Sequence, residues 1–223
     1  MIHIAELHYR ALAIESLTIE PGVTAIIGAN GSGKTSLLKV CAGIALTEAG
    51  TILIEGKGPR QSAIGWVNEF PDRNFLFDTV SDEIASALRF QHLPPEVIAI
   101  RTEEILHRFG LAGLSGRSVR ELSGGEKVLV ALAAAMILTP RVLILDECDS
   151  HLDARSMAKI DEIILRSGIP YILRSTQDME TAAGSNRVVF LENGRARFSG
   201  TPVTVFSGLE ETLFYPMTWR CRL

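Results

Sequence analysis

At 223 residues, 47% of them hydrophobic and 22% charged, the chain is long enough to bury a full core and too apolar to remain disordered. A formal net charge of -4 gives no electrostatic footprint for general nucleic-acid binding, so no nucleic-acid partner is expected. Three cysteines, Cys41, Cys148 and Cys221, stand far apart without paired spacing, which argues against a disulfide framework or a zinc site and fits a reducing cytoplasm.

The first residues, MIHIAELHYR, carry polar and charged side chains where a signal peptide needs an apolar run. Residues 2–7 alternate as a strand does, and residues 12–19 read as a second strand running into the turn Glu20, Pro21, Gly22. Tyr9 follows the first of these. An aromatic there can stack on an adenine or simply fill the rim of a core.

Residues 28–35 read GANGSGKT, the phosphate-loop pattern of Gly, four residues, Gly, Lys and then Ser or Thr. Apolar Val23, Ala25, Ile26 and Ile27 precede it and helix-compatible Ser36, Leu37 and Leu38 follow, so the order is strand, loop, helix. The expected nucleotide contacts are therefore Gly28, Ala29, Asn30, Gly31, Ser32, Gly33, Lys34, Thr35 and Ser36. The glycines let main-chain amides turn toward one point, and the helix start adds its partial positive charge. Lys34 is placed to bridge the outer phosphates, and the Thr35 hydroxyl to ligate magnesium. The loop alone does not separate ATP from GTP, or hydrolysis from binding.

Residues 51–55 predict another short strand, closed by Gly56 and Gly58, so that the N-terminal strands form a small sheet flanking the nucleotide. Residues 64–68 predict a further strand running into Glu69, Phe70 and Pro71. Over residues 80–120 the period is helical, broken at Pro94 and Pro95, which predicts a helical insertion. Residues 122–126 read LSGGE. Ser123, Gly124 and Gly125 form either a second phosphate-binding helix start or an ordinary capped one. The apolar run of residues 128–138 that follows is too short to span a bilayer and reads as a buried alanine-rich helix, so any membrane role goes through a partner.

Residues 141–147, RVLILDE, form an apolar strand ending in two acids. Such a strand presents Asp146 as a magnesium-linked carboxylate and Glu147 as a general base to a phosphate loop on a neighbouring strand. Residues 160–165 predict a helix, 170–173 a strand, and 188–191 a strand that enters a hairpin turn at Asn193 and Gly194. The predicted class is α/β, with a mostly parallel sheet and helices on its faces.

With GANGSGKT, LSGGE, LILDE and then Ser150, His151, Leu152 and Asp153 in this order, the chain resembles the ATP-binding cassette (ABC) ATPases over nearly its whole length. The resemblance implies a single domain over residues 1–223: a P-loop NTPase core, an N-terminal antiparallel β-subdomain and an α-helical subdomain inserted at about residues 80–122. It implies ATP and Mg2+ as cofactors and places Tyr9 on the adenine. It also implies a second ABC ATPase subunit, identical or related, that closes head to tail on the first. Ser123, Gly124, Gly125 and Glu126 of the signature motif would then act in trans, with Asp153 in the adjoining D-loop.

Residues 64–84 and 200–207 are similar to segments of the energy-coupling-factor importers of metal ions and vitamins. That branch implies a transmembrane coupling protein and a substrate-binding membrane protein as partners, and a place on the cytoplasmic face of the membrane. Phe70, Phe75, Leu76 and Phe77 are then either a docking surface for a coupling helix or subdomain core. Two positions depart from the family pattern. Glu69 stands where the family has its Q-loop glutamine, and Gln177 where it has its switch histidine. Glu69 is a hard oxygen donor suited to magnesium but adds negative charge beside the phosphate, while Gln177 donates a hydrogen bond without carrying charge or a proton. Slow but nonzero hydrolysis is expected, with Glu147, Gln177 and Glu69 as the catalytic set. The alternatives are a soluble cassette protein acting on nucleic acid or in cofactor assembly, and a weakly active regulatory partner of another cassette.

Overall fold

The computed structural model describes residues 1–150 and 152–220, Asp72 by its backbone alone; His151 of the predicted D-loop and Cys221 lie outside the described residues. Alternation sets the first two strands, β1 (Ile2–Tyr9) and β2 (Leu12–Ile19), whose Ile2, Ile4, Leu7, Leu12, Ile14, Leu17 and Ile19 are all buried. Tyr9 is the last residue of β1 rather than the residue after it. Strand β3 (Gly22–Ile27) is buried at Thr24, Ala25, Ile26 and Ile27 without alternation, as suits a strand covered on both faces. It leads into α1 (Lys34–Cys41), and β4 (Ala49–Ile54) then returns to pair with β1, giving an antiparallel sheet of order β2-β1-β4.

After β5 (Ile64–Val67) come α2 (Val80–Phe90) and α3 (Pro95–Phe109). The Thr79 hydroxyl caps α2 by accepting from the Asp82 amide at 3.2 Å. Pro95 opens α3 at a position where a missing N–H goes unneeded, and Gly110, at φ 65, ends it. The helical period expected as far as residue 120 stops here. Two short 3-10 turns, Ala112–Leu114 and Val119–Glu121, carry the chain to α4 (Gly124–Met136). The remaining elements are β6 (Val142–Asp146), α5 (Ala154–Leu165), β7 (Tyr171–Ser175), α6 (Met179–Ala183), β8 (Arg187–Glu192), β9 (Arg195–Gly200), α7 (Pro202–Ser207) and α8 (Met217–Arg220). Helix α5 begins at Ala154, six residues before the apolar positions that announced it, because Asp153 caps it by accepting from the Ser156 amide at 2.8 Å.

The second sheet has the order β5-β6-β7-β3-β8-β9, parallel throughout except for the β8–β9 hairpin. This corrects one expectation: the strand bearing Asp146 and Glu147 does not neighbour the strand that feeds the phosphate loop. Strand β7 lies between them, so its C-terminal end reaches the site as well. One apolar core fills the space between this sheet and α2 to α5, and another lies between the two sheets and α1.

Two tight approaches fix the loop after β3. Gly194, at φ 76 in the β8–β9 turn, donates its amide to the Ser32 carbonyl at 3.1 Å, and its own carbonyl accepts from the Ala13 amide at 2.9 Å. A Cβ at Gly194 would collide with the Ala11 carbonyl, and one at Gly28, at φ 147, with the Leu191 carbonyl.

The segment between β5 and α2 is held from the helix side. Buried Glu83 accepts from the Leu76 and Phe77 amides at 2.8 and 2.9 Å. Glu83→Ala is expected to cost about 1–3 kcal/mol by leaving these donors unpaired. Urea unfolding checks it, and an unchanged midpoint would contradict it. The aromatic segment itself divides. Phe75 packs on the core of α2 to α4, Phe70 lies under Arg73 at 4.3 Å, and Phe77 faces Phe90 at 6.5 Å. Leu76 is 69% exposed and Phe90 63%.

Candidate functional site

The ends of β3, β6 and β7 converge on a cavity of about 430 Å3 lined by Asn30, Gly31, Gly33, Lys34, Thr35, Ser36, Glu69, Asp146, Glu147 and Gln177. Residues far apart in the chain thus meet at one end of the sheet, where strand order and the loops after parallel strands place ligands. Gly31 and Gly33 hold φ 80 and φ 106, conformations that only glycine adopts freely, and Gly33 precedes the first turn of α1. The Ser32 hydroxyl, in the same loop, is buried without a hydrogen-bond partner among the described residues.

The Lys34 ammonium, 5% exposed, donates to the Gly28 carbonyl at 3.0 Å and the Ala29 carbonyl at 3.4 Å, and pairs with Glu147 at 3.1 Å. Asp146 Oδ1 accepts from two hydroxyls, Thr35 at 3.1 Å and Ser175 at 2.7 Å. Ser175 also accepts the Glu147 amide, at 3.0 Å on Oγ and 3.2 Å on its carbonyl. Glu147 sits at φ 50, a strained conformation for a residue with a side chain, and this anchored amide holds it there. Gln177 Nε2 donates to Glu147 Oε2 at 2.7 Å and to Asn30 Oδ1 at 3.2 Å, so the expected base carries a positioned amide on one oxygen and a lysine on the other.

The donor set suits a hard divalent cation bound together with phosphate oxygens. Thr35 and Asp146 offer adjacent oxygens, with Glu69 across the cavity, and no cage of three or more acidic, histidine or cysteine ligands exists among the described residues.

Six of the expected site residues, Tyr9, Ser123, Gly124, Gly125, Glu126 and Asp153, lie elsewhere. Ser123 caps α4: its hydroxyl accepts the Glu126 amide at 3.4 Å while Glu126 accepts the Ser123 amide at 2.8 Å, a reciprocal box. The Ser123 amide and hydroxyl together hold the Glu126 carboxyl below the usual carboxylate range. The stability this cap contributes is therefore full above the usual carboxylate range and is lost as pH falls through the lowered folded-state value. Gly125 needs its hydrogen, since a Cβ would press on the Ser156 hydroxyl, whereas no described residue lies within 4 Å of a Cβ at Gly124. Asp153 is engaged as the cap of α5. Tyr9 is half-buried at the end of β1 with the Arg10 guanidinium 5.3 Å from its ring. None of these lines the cavity. Sequence reasoning missed Ser175, whose only signal was a place two residues before Gln177.

A family model described as "ABC transporter" matches residues 13–150, more than half of the chain. The chain belongs to that family. It is 35% identical over 212 residues to the energy-coupling factor transporter ATP-binding protein EcfA1 of Enterococcus faecalis, an alignment covering 90% of this chain and 76% of that protein. The solved structure of cbiO1 from Clostridium perfringens, described as part of the ABC transporter complex cbiONQ, superposes with a TM-score of 0.81 at 28% identity and covers 95% of each chain. The ATP-binding cassette MJ0796, 21% identical, shares the fold with a TM-score of 0.79. As a member of the ABC family, the chain is an ATP-binding ATPase. No helix among the described residues is long and apolar enough to cross a membrane.

Proposed function

We infer that this chain is the ATP-hydrolysing subunit that powers a membrane importer of the energy-coupling-factor type. The observation that carries the reading is the convergence of Lys34, Thr35, Asp146, Glu147 and Gln177 on one cavity in a chain whose relatives are named as ATP-binding subunits of such transporters. It forms one ABC domain, with residues 80–122 as the helical subdomain.

In this reading the amides of residues 28–35 and the start of α1 hold the β- and γ-phosphates, and Lys34 exchanges its contact with Glu147 for phosphate oxygens of higher charge. Thr35 and Asp146, with Glu69 nearby, would hold magnesium, which would neutralise phosphate charge. Glu147 accepts the proton of the attacking water as that oxygen bonds to the γ-phosphorus and the bond to the bridging oxygen breaks. Gln177 holds the Glu147 carboxylate and donates toward the γ-phosphate. Tyr9 stacks on the adenine. A second cassette, identical or related, presents Ser123, Gly124, Gly125 and Glu126 across the cavity, with Asp153 at the same boundary; the open space at Gly124 supports this, since no described residue of its own chain requires a glycine there. The partners are a transmembrane coupling protein and a substrate-binding membrane protein, met at the cytoplasmic face, with exposed Leu76 and Phe90 on the docking side.

Gln177 makes the rate slow. Gln177→His is expected to raise turnover several-fold and to add a limb to the pH–rate profile near the ordinary histidine value of about 6.5. Steady-state turnover across pH checks it, and no gain in rate would mean that the glutamine is fully compensated. The importer reading is tested by purification from native membranes. Co-purification of integral membrane proteins, with turnover faster in the complex, is expected; recovery with nucleic acid instead would favour the soluble alternative.

A further inference from the structure

The interior of the molecule holds a charged cluster that ATP chemistry does not use directly. Arg174, the fourth residue of β7, is 4% exposed, yet it carries a full guanidinium. Its Nε and Nη2 both reach Asp149 Oδ2, at 3.0 and 2.8 Å, and its Nη1 reaches Asp161 Oδ1 at 2.6 Å. Nη2 also lies 3.8 Å from Met157 Sδ. Burial works against the charge, but Asp149 and Asp161 outweigh it and hold the guanidinium above its ordinary range.

The three charged residues come from three elements. Asp149 lies in the turn of residues 147–150, closed by the Ser150 amide donating to the Glu147 carbonyl at 3.2 Å, and its own carbonyl accepts the Leu152 amide at 3.1 Å. Asp161 lies on α5. Arg174 precedes Ser175, and side chains alternate along a strand, so these neighbours project to opposite faces of the sheet. Ser175 grips Asp146 and the Glu147 amide on one side while Arg174 grips Asp149 on the other. The turn that bears the base is thus held from both faces of β7.

We propose that Arg174, through Asp149 and Asp161, is a positioning residue for turnover: a buried ionic clamp that fixes the turn of residues 147–150 and thereby the place of Glu147 relative to the phosphates. Buried ion pairs add little net stability over apolar residues of similar size, so bulk stability is a weak reason for three charges here. A directional fork that sets the geometry of one turn is what a guanidinium provides and an apolar contact does not. The proposal rests on Glu147 being the base.

The test uses the full chain with Arg174→Met and Asp149→Leu combined. This removes both buried charges at similar volume and leaves Asp161, whose side chain is 44% exposed, in water. The expected result is a near-unchanged melting temperature, amide exchange at Ser150 and Leu152 faster by about tenfold, and kcat lower by about tenfold with KM for ATP within a factor of about two, since small misplacement of a catalytic group acts on kcat. Arg174→Lys, which keeps the charge without the fork, is expected to fall between. Unchanged exchange together with unchanged kcat would overturn the proposal. If the double variant does not fold, Asp149→Asn, which leaves Arg174 paired to Asp161, decides by the same two readouts. A Glu147→Gln control separates the two readings: loss of turnover there with no effect in the clamp variants defeats the clamp alone, while retained turnover there defeats the base and leaves the exchange data to judge the clamp.

Discussion

Glu147→Gln is expected to lower kcat for ATP by about 10²- to 10⁴-fold, the usual contribution of a positioned general base. Affinity for ATP should stay the same or rise, because the change removes a negative charge beside the phosphates and frees Lys34 from its 3.1 Å contact. The substitution is nearly isosteric, and the contacts by which Glu147 itself anchors this turn are made by its backbone: its amide to Ser175 and its carbonyl to Ser150. The fold should therefore be unaffected. Single-turnover hydrolysis alongside nucleotide binding checks the prediction. A variant that hydrolyses ATP at the unmodified rate would remove Glu147 as the base.

The second large effect falls on binding. Lys34→Met removes the one cation lining the cavity among the described residues and the donor that spans the Gly28 and Ala29 carbonyls. Hydrogen bonds to charged groups are worth about 1.5–3 kcal/mol each, so the dissociation constant for Mg-ATP should rise about 10- to 100-fold. Fold stability should change less than binding, because the methionine stem keeps the packing of a side chain that is 5% exposed. Equilibrium binding of a fluorescent ATP analogue reads the change. Wild-type affinity in a folded Lys34→Met protein would mean that the amides alone hold the phosphates.

What the sequence made legible follows from how local each signal is. The loop of residues 28–35 is contiguous, so pattern and chemistry are read together, although the close approaches at Gly28 and Gly33, to the Leu191 carbonyl and the Leu12 side chain, are long-range. The same holds for the capping box of Ser123 and Glu126 and for β1 and β2, whose alternation is enough to assign their buried face. The order of strands is a long-range property. Nothing local says that β7 lies between β3 and β6, and with that order hidden, Ser175 had no visible reason to matter. Arg174 was hidden for a related cause: in a strand otherwise reading Tyr171, Ile172, Leu173, its partners Asp149 and Asp161 come from two other elements. The helical period misled past Phe109 because apolar Leu111, Leu114 and Val119 continue the spacing while packing through turns.

Gln177 shows the two levels working together. The sequence marked it as a departure from the family pattern, and the structure places its amide 2.7 Å from the carboxylate it would have to serve. The departure therefore keeps the position and direction of a donor at that site and gives up only charge and proton exchange.

The grip of residues 28–35 and Lys34 on a nucleotide's phosphates is measured most directly by calorimetric titration of the purified chain with ATP in the presence of magnesium. Saturable binding, weakened by Lys34→Met and kept by Glu147→Gln, is the predicted result. No heat of binding, with no ATP-dependent pairing of chains in the same buffer, would contradict it.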